Sequence, residues 1–170
     1  MDSVLLTGAS GFLGYHVAKR LNDAGIRPRV LELRDGRPDV LSRLNVERCA
    51  GYLDDPAAVR AACSGVTTLL HLAFKVSVGS GAKVLEEMQR INIAGTRQLL
   101  ETASASGVKR AVVAGSALAV GVNRQPTPLD ETANWSDHGF NIQYANIRRQ
   151  AELSALAHAT CDITVIHDAD

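Results

Sequence analysis

A tyrosine and an arginine four residues apart, Tyr144 and Arg148 in QYANIRRQAE, have the types and the spacing to do chemistry. In a helix they would lie one turn apart on the same face. A phenol has a pKa of about 10, so a tyrosine acts as an acid or base near neutral pH only when a nearby positive charge favours the phenolate. The spacing fits a catalytic tyrosine beside its cation, and it also fits two ordinary residues on a solvated helix.

A glycine-rich stretch near the start of the chain, TGASGFLG, has the spacing of a phosphate-binding loop. Gly8, Gly11 and Gly14 follow a short apolar run and lead directly into a helical pattern, which is the context that a dinucleotide-binding turn requires. The first turn of such a helix offers backbone N–H groups and a positive dipole end to a pyrophosphate. The alternative is a glycine-rich turn that binds no ligand.

An acidic residue about 20 positions further on is expected to bind the adenosine ribose in such proteins. Glu32 has this place at the end of the second apolar run, and its carboxylate would repel a 2′-phosphate. The pattern therefore favours NAD. NADP stays possible because Arg34 and Arg37 lie nearby, and Glu32 could also be only a solvated charge at a strand end.

The overall composition limits the kinds of partner. The 170 residues carry no formal net charge, which argues against nucleic acid or an anionic membrane surface. No apolar run is long enough to span a bilayer, and the first residues lack the pattern of a signal peptide. The three cysteines are widely spaced, which favours reduced thiols in a cytoplasmic protein over a disulfide framework or a metal site.

Apolar runs and helical patterns alternate along nearly the whole chain. Strands are predicted in SVLLTG, RVLEL, VERCAGYL, VTTLLHLA, VKRAVVAGSA and DITVIH. Helices are predicted in FLGYHVAKRLNDAG, DPAAVRAACSG, the stretch 82–106 and NIQYANIRRQAELSALAHA, while RDGRPDVLSRL is a polar turn with room for a short helix. This alternation predicts an α/β fold of Rossmann type, in which helices flank a doubly wound parallel sheet. We assign residues 1–170 to one dinucleotide-binding domain.

The motifs resemble, in order and spacing, the extended short-chain dehydrogenase/reductase family of sugar-nucleotide epimerases, dehydratases and reductases. TGASGFLG matches its TGxxGxxG, VTTLLHLAF its HLAA strand, INIAGTRQLLETA its N-x-x-G-T helix, VKRAVVAGSALAVG its serine strand, PLDETANW the loop before the tyrosine, and YANIRRQAE its YxxxK segment. The resemblance runs from residue 3 to about 167. It implies an NAD(P)-dependent oxidoreductase, epimerase or dehydratase that transfers hydride at a carbon bearing a hydroxyl or carbonyl group.

The resemblance also implies roles for particular residues. Tyr144 would be the acid/base, Ser116 would polarise the substrate oxygen, and Arg148 would take the place of the catalytic lysine. Asn92 would support the active site, although it could equally be a helix residue that bonds to backbone. The implied cofactor-binding residues are Thr7, Gly8, Ser10, Gly11, Phe12, Leu13, Gly14, Glu32, Arg34, Leu53, Asp54, Leu72, Ala73, Phe74, Asn92, Tyr144 and Arg148.

The sequence departs from the family pattern at four places. Arg148 replaces a lysine, Tyr52 replaces an aspartate that contacts adenine, Gly115 precedes the serine, and His167–Asp168 replaces an Arg–Pro pair. A planar guanidinium is no conservative replacement for an ammonium group. The alternative function is therefore a dinucleotide-binding pseudo-enzyme or sensor with little or no turnover.

The parts of the chain beyond these motifs give further expectations. The sequence stops where the family begins its C-terminal substrate lobe, so we expect a truncated chain or a naturally short relative. The substrate would be a small molecule, either a hydroxyl or carbonyl compound or a nucleotide sugar. By the resemblance, the helices over 82–106 and around Tyr144 would form a homodimer interface, and the alternative is that their apolar stripes only cover the sheet. His71 is predicted to be a packed or capping histidine.

Overall fold

Strands and helices alternate in the structure, a computed structural model that describes residues 3–34, 36, 39–77, 81–136 and 138–167. The strands are β1 (Val4–Thr7), β2 (Arg29–Glu32), β3 (Glu47–Ala50), β4 (Thr68–His71), β5 (Arg110–Ala114) and β6 (Asp162–Ile166). The helices are α1 (Phe12–Asp23), α2 (Pro56–Cys63), α3 (Ala82–Gln89), α4 (Thr96–Ala105), α5 (Ala117–Val120) and α6 (Gln143–His158).

The six strands form one parallel sheet in the order β3-β2-β1-β4-β5-β6. The register is continuous across the centre, where Leu6 of β1 is paired with both Val30 of β2 and Leu70 of β4. The strand order reverses between β1 and β4, and in open α/β sheets ligands bind outside the carboxyl ends of the strands at such a reversal. The sheet therefore predicts a binding crevice beside Thr7 and His71.

Two apolar clusters cover the two faces of the sheet. One cluster combines α2, α4 and α6 with residues such as Leu5, Leu69 and Val113. The other packs α1 and the turns around Leu41 against the opposite face. Because side chains alternate along a strand, Leu5 and Leu6 contribute to opposite clusters. This arrangement confirms the predicted Rossmann-type fold.

The helix predicted over 82–106 is not regular. It is α-helical over α3 and α4, and the six residues between them, Arg90–Gly95, form a π-helical turn. A Cβ atom on Gly95 would lie 3.0 Å from the Cβ of Leu53, so the close packing of this turn against the chain after β3 favours glycine. The apolar pattern did not reveal the turn, which packs against a distant part of the chain.

The structure differs from the sequence-based prediction at the short helix α5, and two residues of interest lie outside the described residues. Helix α5 was not predicted, because a helix of four residues is too short to show a period. The described residues 39–44 of the stretch RDGRPDVLSRL form turns, whereas Arg37, a candidate for binding a 2′-phosphate, and Asp168 lie outside the described residues. Among the residues that the structure describes, no helix is both long enough and apolar enough to cross a lipid bilayer.

Candidate active site

The glycine loop between β1 and α1 packs tightly against the carboxyl end of β4. Gly8 has φ +74°, and a Cβ atom placed on it would lie 2.7 Å from the carbonyl carbon of Leu72 and 2.8 Å from the backbone nitrogen of Ala73. A Cβ on Gly14 would overlap the carbonyl oxygen of Gly8. Both glycines are therefore required by backbone contact, as the motif predicts.

The loop leads into α1 through backbone hydrogen bonds. The N–H of Gly11 donates to the carbonyl of Gly8 at 3.0 Å, and the N–H of Tyr15 donates to the carbonyl of Gly11 at 2.9 Å. Gly11 is the N-cap residue, and within the described part of the chain no side chain caps α1. The backbone N–H groups in the first turn of α1 are thus suited to donate hydrogen bonds to a phosphate group.

A cleft of about 400 Å³ opens beside this loop, at the carboxyl ends of β1, β2 and β4. Nine of the predicted cofactor-binding residues line it. They are Gly8, Ser10, Gly11, Glu32, Leu53, Asp54, Leu72, Ala73 and Phe74. Tyr52 also lines the cleft, as does Gly51, where a Cβ atom would overlap the Cβ of Ala58. The structure therefore brings together residues that come from four separate parts of the sequence.

The other predicted residues lie around this cleft rather than among the residues lining it. Phe12 and Leu13 begin α1 and are exposed, and Thr7 is buried at the end of β1. Arg34 pairs with Asp55 at 2.9 Å. The Asp55 carboxylate also caps α2, and hydrogen bonds from the backbone of Ala58 and then from Arg34 lower its pKa.

Ion pairs that the sequence analysis did not identify surround the cleft. Glu32 pairs with Arg48 of the neighbouring strand, with 3.2 Å between Oε2 and Nη1. Asp54 pairs with Arg90 of the π-helical turn, and Lys75 pairs with Glu87 of α3 at 2.9 Å. The partners are 12 to 36 residues apart in sequence, so no local spacing could have indicated them. Glu32, at the cleft, carries a compensated rather than an isolated negative charge.

His71 forms a buried polar network behind the cleft. Its Nδ1 lies 2.7 Å from Thr7 Oγ1, and its Nε2 lies 2.9 Å from Thr96 Oγ1. Thr7 Oγ1 also accepts a hydrogen bond from the N–H of Ala73 at 3.3 Å, so the threonine hydroxyl joins the imidazole to the chain that follows β4. Burial, and after it the positive charge of Arg148, lowers the pKa of His71 to about 3. His71 is a packed, neutral histidine, as predicted.

Asn92 is fully buried in the π-helical turn. Its Oδ1 accepts from the N–H of Lys75 at 2.7 Å, and its Nδ2 donates to the Lys75 carbonyl at 2.9 Å. The side chain therefore fixes the segment that follows β4 and carries Ala73 and Phe74 along the cleft. The bond to backbone fits both interpretations given by the sequence, since Asn92 bonds to backbone and thereby supports the wall of the cleft.

Ser116 begins α5 directly after β5 and is 2% exposed. Its Oγ accepts from the N–H of Leu118 at 3.3 Å, and its carbonyl accepts from the N–H of Ala119 at 2.8 Å. A serine hydroxyl that accepts one bond still has its proton to donate. The turn into α5 thus orients a hydroxyl group at the carboxyl end of β5.

Tyr144 and Arg148 both lie on α6, one turn apart, as predicted from QYANIRRQAE. Tyr144 is half-buried. Arg148 is 5% exposed, and its Nη2 donates to the carbonyls of Ala114 and Gly115 at 2.7 and 2.6 Å. Its guanidinium carbon lies 3.6 Å from the ring centroid of Phe74. The pair is therefore not an ordinary solvated helix surface.

Two of the departures from the family pattern are neighbours in space. A Cβ atom on Gly115 would lie 2.6 Å from Cδ2 of His167, so the imidazole fills the space that a side chain at position 115 would need. His167 Nε2 lies 2.7 Å from Oε1 of Glu152, a buried residue of α6. The absence of a side chain at Gly115 thus makes room for the His167 ring. The sequence could not indicate this fit, because the two residues are 52 positions apart.

Comparison with known proteins supports the assignment made from the motifs. The sequence profile of the NAD dependent epimerase/dehydratase family matches residues 4–166. The chain belongs to the NAD-dependent epimerase/dehydratase family. The structure neighbours of this family member include extended short-chain dehydrogenase/reductases, so the resemblance is confirmed. NAD dependence, predicted from Glu32, is a property of the family as a whole.

One curated relative and one solved structure illustrate the similarity of this family member to known proteins. Sterol demethylase protein B of Methylococcus capsulatus is 32% identical over 171 residues, covering 98% of this chain and 51% of the relative. The crystal structure of an Agrobacterium tumefaciens short-chain dehydrogenase/reductase superfamily protein with bound NAD has a TM-score of 0.83 and 29% identity, over 98% of this chain and 48% of that one.

A third relative is a solved structure with a nucleotide sugar. MoeE5 in complex with UDP-glucuronic acid and NAD has a TM-score of 0.78 and 26% identity, over 96% of this chain and 52% of the MoeE5 chain. The family member described here spans about half the length of the relatives it matches.

Proposed function

We propose that this chain is the dinucleotide-binding part of an NAD-dependent oxidoreductase, epimerase or dehydratase, and that residues 1–170 form one domain. The cleft at the reversal of strand order carries the proposal, because its glycine loop leaves no room for a Cβ atom at Gly8 or Gly14. Membership of an NAD-dependent family gives the same class of ligand independently.

In this proposal the cleft holds the pyrophosphate and adenosine ends of NAD. The N–H groups at the start of α1 bind phosphate oxygens, and Glu32 accepts hydrogen bonds from the ribose hydroxyls. Arg48 holds the Glu32 carboxylate at the cleft wall. Tyr52 offers a ring to the adenine, and Ala73 and Phe74 continue the wall toward the nicotinamide. Arg34 is engaged by Asp55, which favours NAD over NADP.

The chemistry of the proposal lies at Ser116 and Tyr144. When bound, the dinucleotide exchanges a hydride with the substrate carbon. Ser116 donates its hydroxyl proton in a hydrogen bond to the substrate oxygen, while the bond from Leu118 N–H fixes its Oγ. The Tyr144 phenol gives a proton to that oxygen or removes one from it. Arg148, one turn along α6, adds a permanent positive charge that favours the phenolate.

A second candidate function is a dinucleotide-binding protein with little turnover. One observation favours it: Nη2 of Arg148, at the position of the family's lysine, is bonded to the carbonyls of Ala114 and Gly115. A guanidinium held in this way is not directed to the ribose as an ammonium group on a flexible stem would be.

The test uses the purified full-length protein. Calorimetry with NAD and NADP measures binding. Turnover with a panel of carbonyl compounds is measured by the loss of NADH absorbance. Turnover of UDP-glucose and UDP-glucuronic acid in the presence of NAD is measured by chromatography of the products, because an epimerase or dehydratase returns the hydride to the substrate and leaves no net change in NADH. We expect binding of NAD and turnover with at least one compound. Tyr144→Phe should lower turnover by about 100-fold or more, in the range for a lost acid/base. Tyr15→Phe, a half-buried tyrosine on α1, is the matched control and should keep full activity.

The outcomes separate the two candidates. Binding of NAD without any turnover contradicts the enzyme and supports the dinucleotide-binding protein. If neither dinucleotide binds, both candidates fail. A cytoplasmic location is part of the same proposal, and cell fractionation tests it.

We also propose that the full-length protein forms a homodimer through α4 and α6. Leu153 and Leu156 of α6, three residues apart, are 48% and 49% exposed, and α4 lies beside α6. Residues three apart share a helix face, so the two leucines form a small apolar surface. Analytical ultracentrifugation should show a dimer that Leu156→Asp weakens and that Leu129→Asp, an exposed leucine in the loop before α6, does not. A monomeric wild-type protein would contradict the proposal.

A further inference from the structure

Arg148 makes a set of contacts that a lysine could not make. One nitrogen, Nη2, donates to the carbonyls of two consecutive residues, Ala114 and Gly115, at 2.7 and 2.6 Å. The guanidinium carbon lies 3.6 Å from the centroid of the Phe74 ring. A lysine side chain ends one bond earlier, so its nitrogen would lie near the place of the guanidinium carbon and short of both carbonyls. The pair of hydrogen bonds to these carbonyls is therefore specific to the arginine.

The two carbonyls mark the point where β5 ends. In an extended strand, consecutive carbonyls point in opposite directions, so one donor cannot reach both. That Arg148 does reach both shows that the chain has turned after Ala114. The N–H of Gly115 still donates to the carbonyl of Ile166 at 2.7 Å, so the turn begins while β5 is bonded to the chain of β6. The guanidinium therefore holds the exit from β5.

Ser116 is the next residue after this exit. Its backbone is extended, with φ −149° and ψ 138°, and its side chain caps α5 by accepting from Leu118 N–H. The orientation of its hydroxyl group thus depends on the orientation of the Gly115 peptide, whose carbonyl accepts a hydrogen bond from Arg148. His167 occupies the space beside Gly115 that a side chain at this position would need.

Phe74 lies between Arg148 and the rest of the cleft wall. The centroid of its ring lies 3.6 Å from the guanidinium carbon of Arg148 and 4.7 Å from the centroid of the His71 ring. Phe74 lines the cleft, whereas the side chain of Arg148 lies in a narrow space bounded by Phe74, Gly115 and Ala151. A positive charge over an aromatic face in a buried site is stabilised by the ring. Arg148 is thus fixed on two sides.

From this geometry we propose that Arg148 is a positioning residue for Ser116. It holds the carbonyls of Ala114 and Gly115 in the turn that orients the serine hydroxyl, and it does not contact the nicotinamide ribose. The proposal rests on the role of Ser116 in the proposed function. It assigns the arginine a task different from the one that the resemblance implies for the lysine at this position.

The decisive variant is Arg148→Lys, which restores the residue type of the family. If Arg148 only stood in for that lysine, the change would preserve or raise activity. If Arg148 is a positioning residue, the Arg148→Lys variant should instead be slower than the wild type. Its turnover should fall by about 10- to 100-fold, the effect of a small misplacement of a reacting group. The affinity for NAD, measured by calorimetry, should change by less than about twofold. Arg149→Lys, the same change one residue along α6, is the matched control and should have neither effect.

A double-mutant cycle shows whether the arginine acts through the serine. Ser116→Ala and Arg148→Lys should each lower turnover, and the double variant should be no slower than Ser116→Ala alone, because groups that act as a unit are not additive. Independent effects that multiply would overturn the proposal. If Arg148→Lys does not fold, Arg148→Gln takes its place and is read by hydrogen exchange at residues 112–120, because it also removes the positive charge near Tyr144 and its turnover no longer reports on Ser116 alone.

Hydrogen exchange tests, without any substrate, whether Arg148 holds the turn after β5. In Arg148→Lys, the peptide that covers residues 112–120 should exchange about tenfold faster or more, since a local hydrogen-bonded turn has been released, while peptides from α1 stay unchanged. Unchanged exchange at 112–120 would overturn the proposal even if turnover fell. Hydrogen exchange therefore tests the positioning role of Arg148 separately from the proposed function, which is tested by NAD binding and turnover.

A crystal structure of the NAD complex is the second independent test. We expect Nη2 of Arg148 to remain bonded to the carbonyls of Ala114 and Gly115. A guanidinium nitrogen within hydrogen-bond distance of the nicotinamide ribose hydroxyls would overturn the proposal. A loss of NAD affinity by tenfold or more in Arg148→Lys, measured by calorimetry in solution, would also overturn the proposal.

Discussion

The chain after β1 and the chain after β5 leave the same edge of the sheet, but they are held in different ways. After β1, the backbone itself sets the geometry: Gly8 touches the end of β4 so closely that no Cβ atom fits, and hydrogen bonds between backbone groups lead into α1. After β5, buried polar side chains set the geometry: Arg148 holds two carbonyls and Ser116 caps its own helix.

This difference predicts how sensitive each half of the site is to amino-acid substitution. A geometry set by backbone contact depends on a few glycines, and ion pairs at the rim add little because most are partly solvated. A geometry set by buried side chains depends on every member of the network, since each lost partner leaves another polar group buried and unsatisfied. The predictions that follow test this distinction, beginning with the largest effect.

Gly8→Ala should have the largest effect, because it forces a left-handed backbone on alanine and places a Cβ atom 2.7 Å from the Leu72 carbonyl. We expect the free energy of unfolding to fall by about 3–5 kcal/mol and NAD binding to be lost. Urea unfolding and calorimetry measure the two effects. Gly25→Ala is the matched control: its φ is +75°, and nothing lies within 4 Å of the added atom, so only about 1 kcal/mol should be lost. Equal losses would show that backbone contact is not what holds the loop.

Asn92→Ala tests the same dependence on a buried polar side chain in the segment after β4, where Asn92 holds the backbone of Lys75 as Arg148 holds the backbone after β5. The change leaves both the N–H and the carbonyl of Lys75 without their partner, and we expect a loss of about 2–4 kcal/mol in the free energy of unfolding. Asn123→Ala removes the same kinds of bond, one accepted from Gln125 N–H and one donated to the Thr127 carbonyl, at an exposed site. It should cost less than about 1 kcal/mol, since water replaces the bonds. Similar losses would contradict the distinction.

The pH dependence of stability tests the neutral state of His71. Its pKa in the folded protein is lowered to about 3 from the model-compound value of 6.5, so between these values the unfolded chain binds a proton that the folded chain does not. The free energy of unfolding therefore falls as the pH falls through this window, by about 2 kcal/mol between pH 6.5 and 5 from this group.

Urea unfolding at pH 7 and pH 5 measures this slope. His71→Gln has a lower stability at both values but should lose about 2 kcal/mol less than the wild type on going to pH 5. His158→Gln, an exposed histidine at the end of α6, is the control and should keep the wild-type slope. A wild-type slope in His71→Gln would show that the buried histidine is not the group responsible.

Glu32→Ala should have the smallest effect on folding and a selective effect on binding. We expect the affinity for NAD to fall about tenfold, as for the loss of a hydrogen bond to a charged group, and the affinity for NADP to change by about twofold or less. Calorimetry with both dinucleotides gives the ratio. Glu47→Ala, a carboxylate on β3 that pairs with Arg29, should leave both affinities unchanged. An equal loss for NAD and NADP would refute the preference for NAD.

Much of the fold was predictable because its signals are local. Short apolar runs that alternate with helical stripes predicted the parallel sheet, and glycine spacing predicted the loop after β1, since both depend on neighbouring residues. The π-helical turn at Arg90–Gly95 and the short helix α5 were missed. Neither leaves a period in the sequence, and both are stabilised by residues from distant parts of the chain.

The sequence by itself determined the sheet, the glycine loop and the position of Tyr144 one turn from Arg148, because each follows from spacing along one element. Only the tertiary structure decided what the buried side chains do: that His71 is neutral between two threonines, that His167 fits against Gly115, and that Arg148 reaches the carbonyls before Ser116. These partners lie 25 to 64 positions apart or on separate elements, and a hydrogen bond or a close contact between them exists only once the sheet and α6 have brought them together.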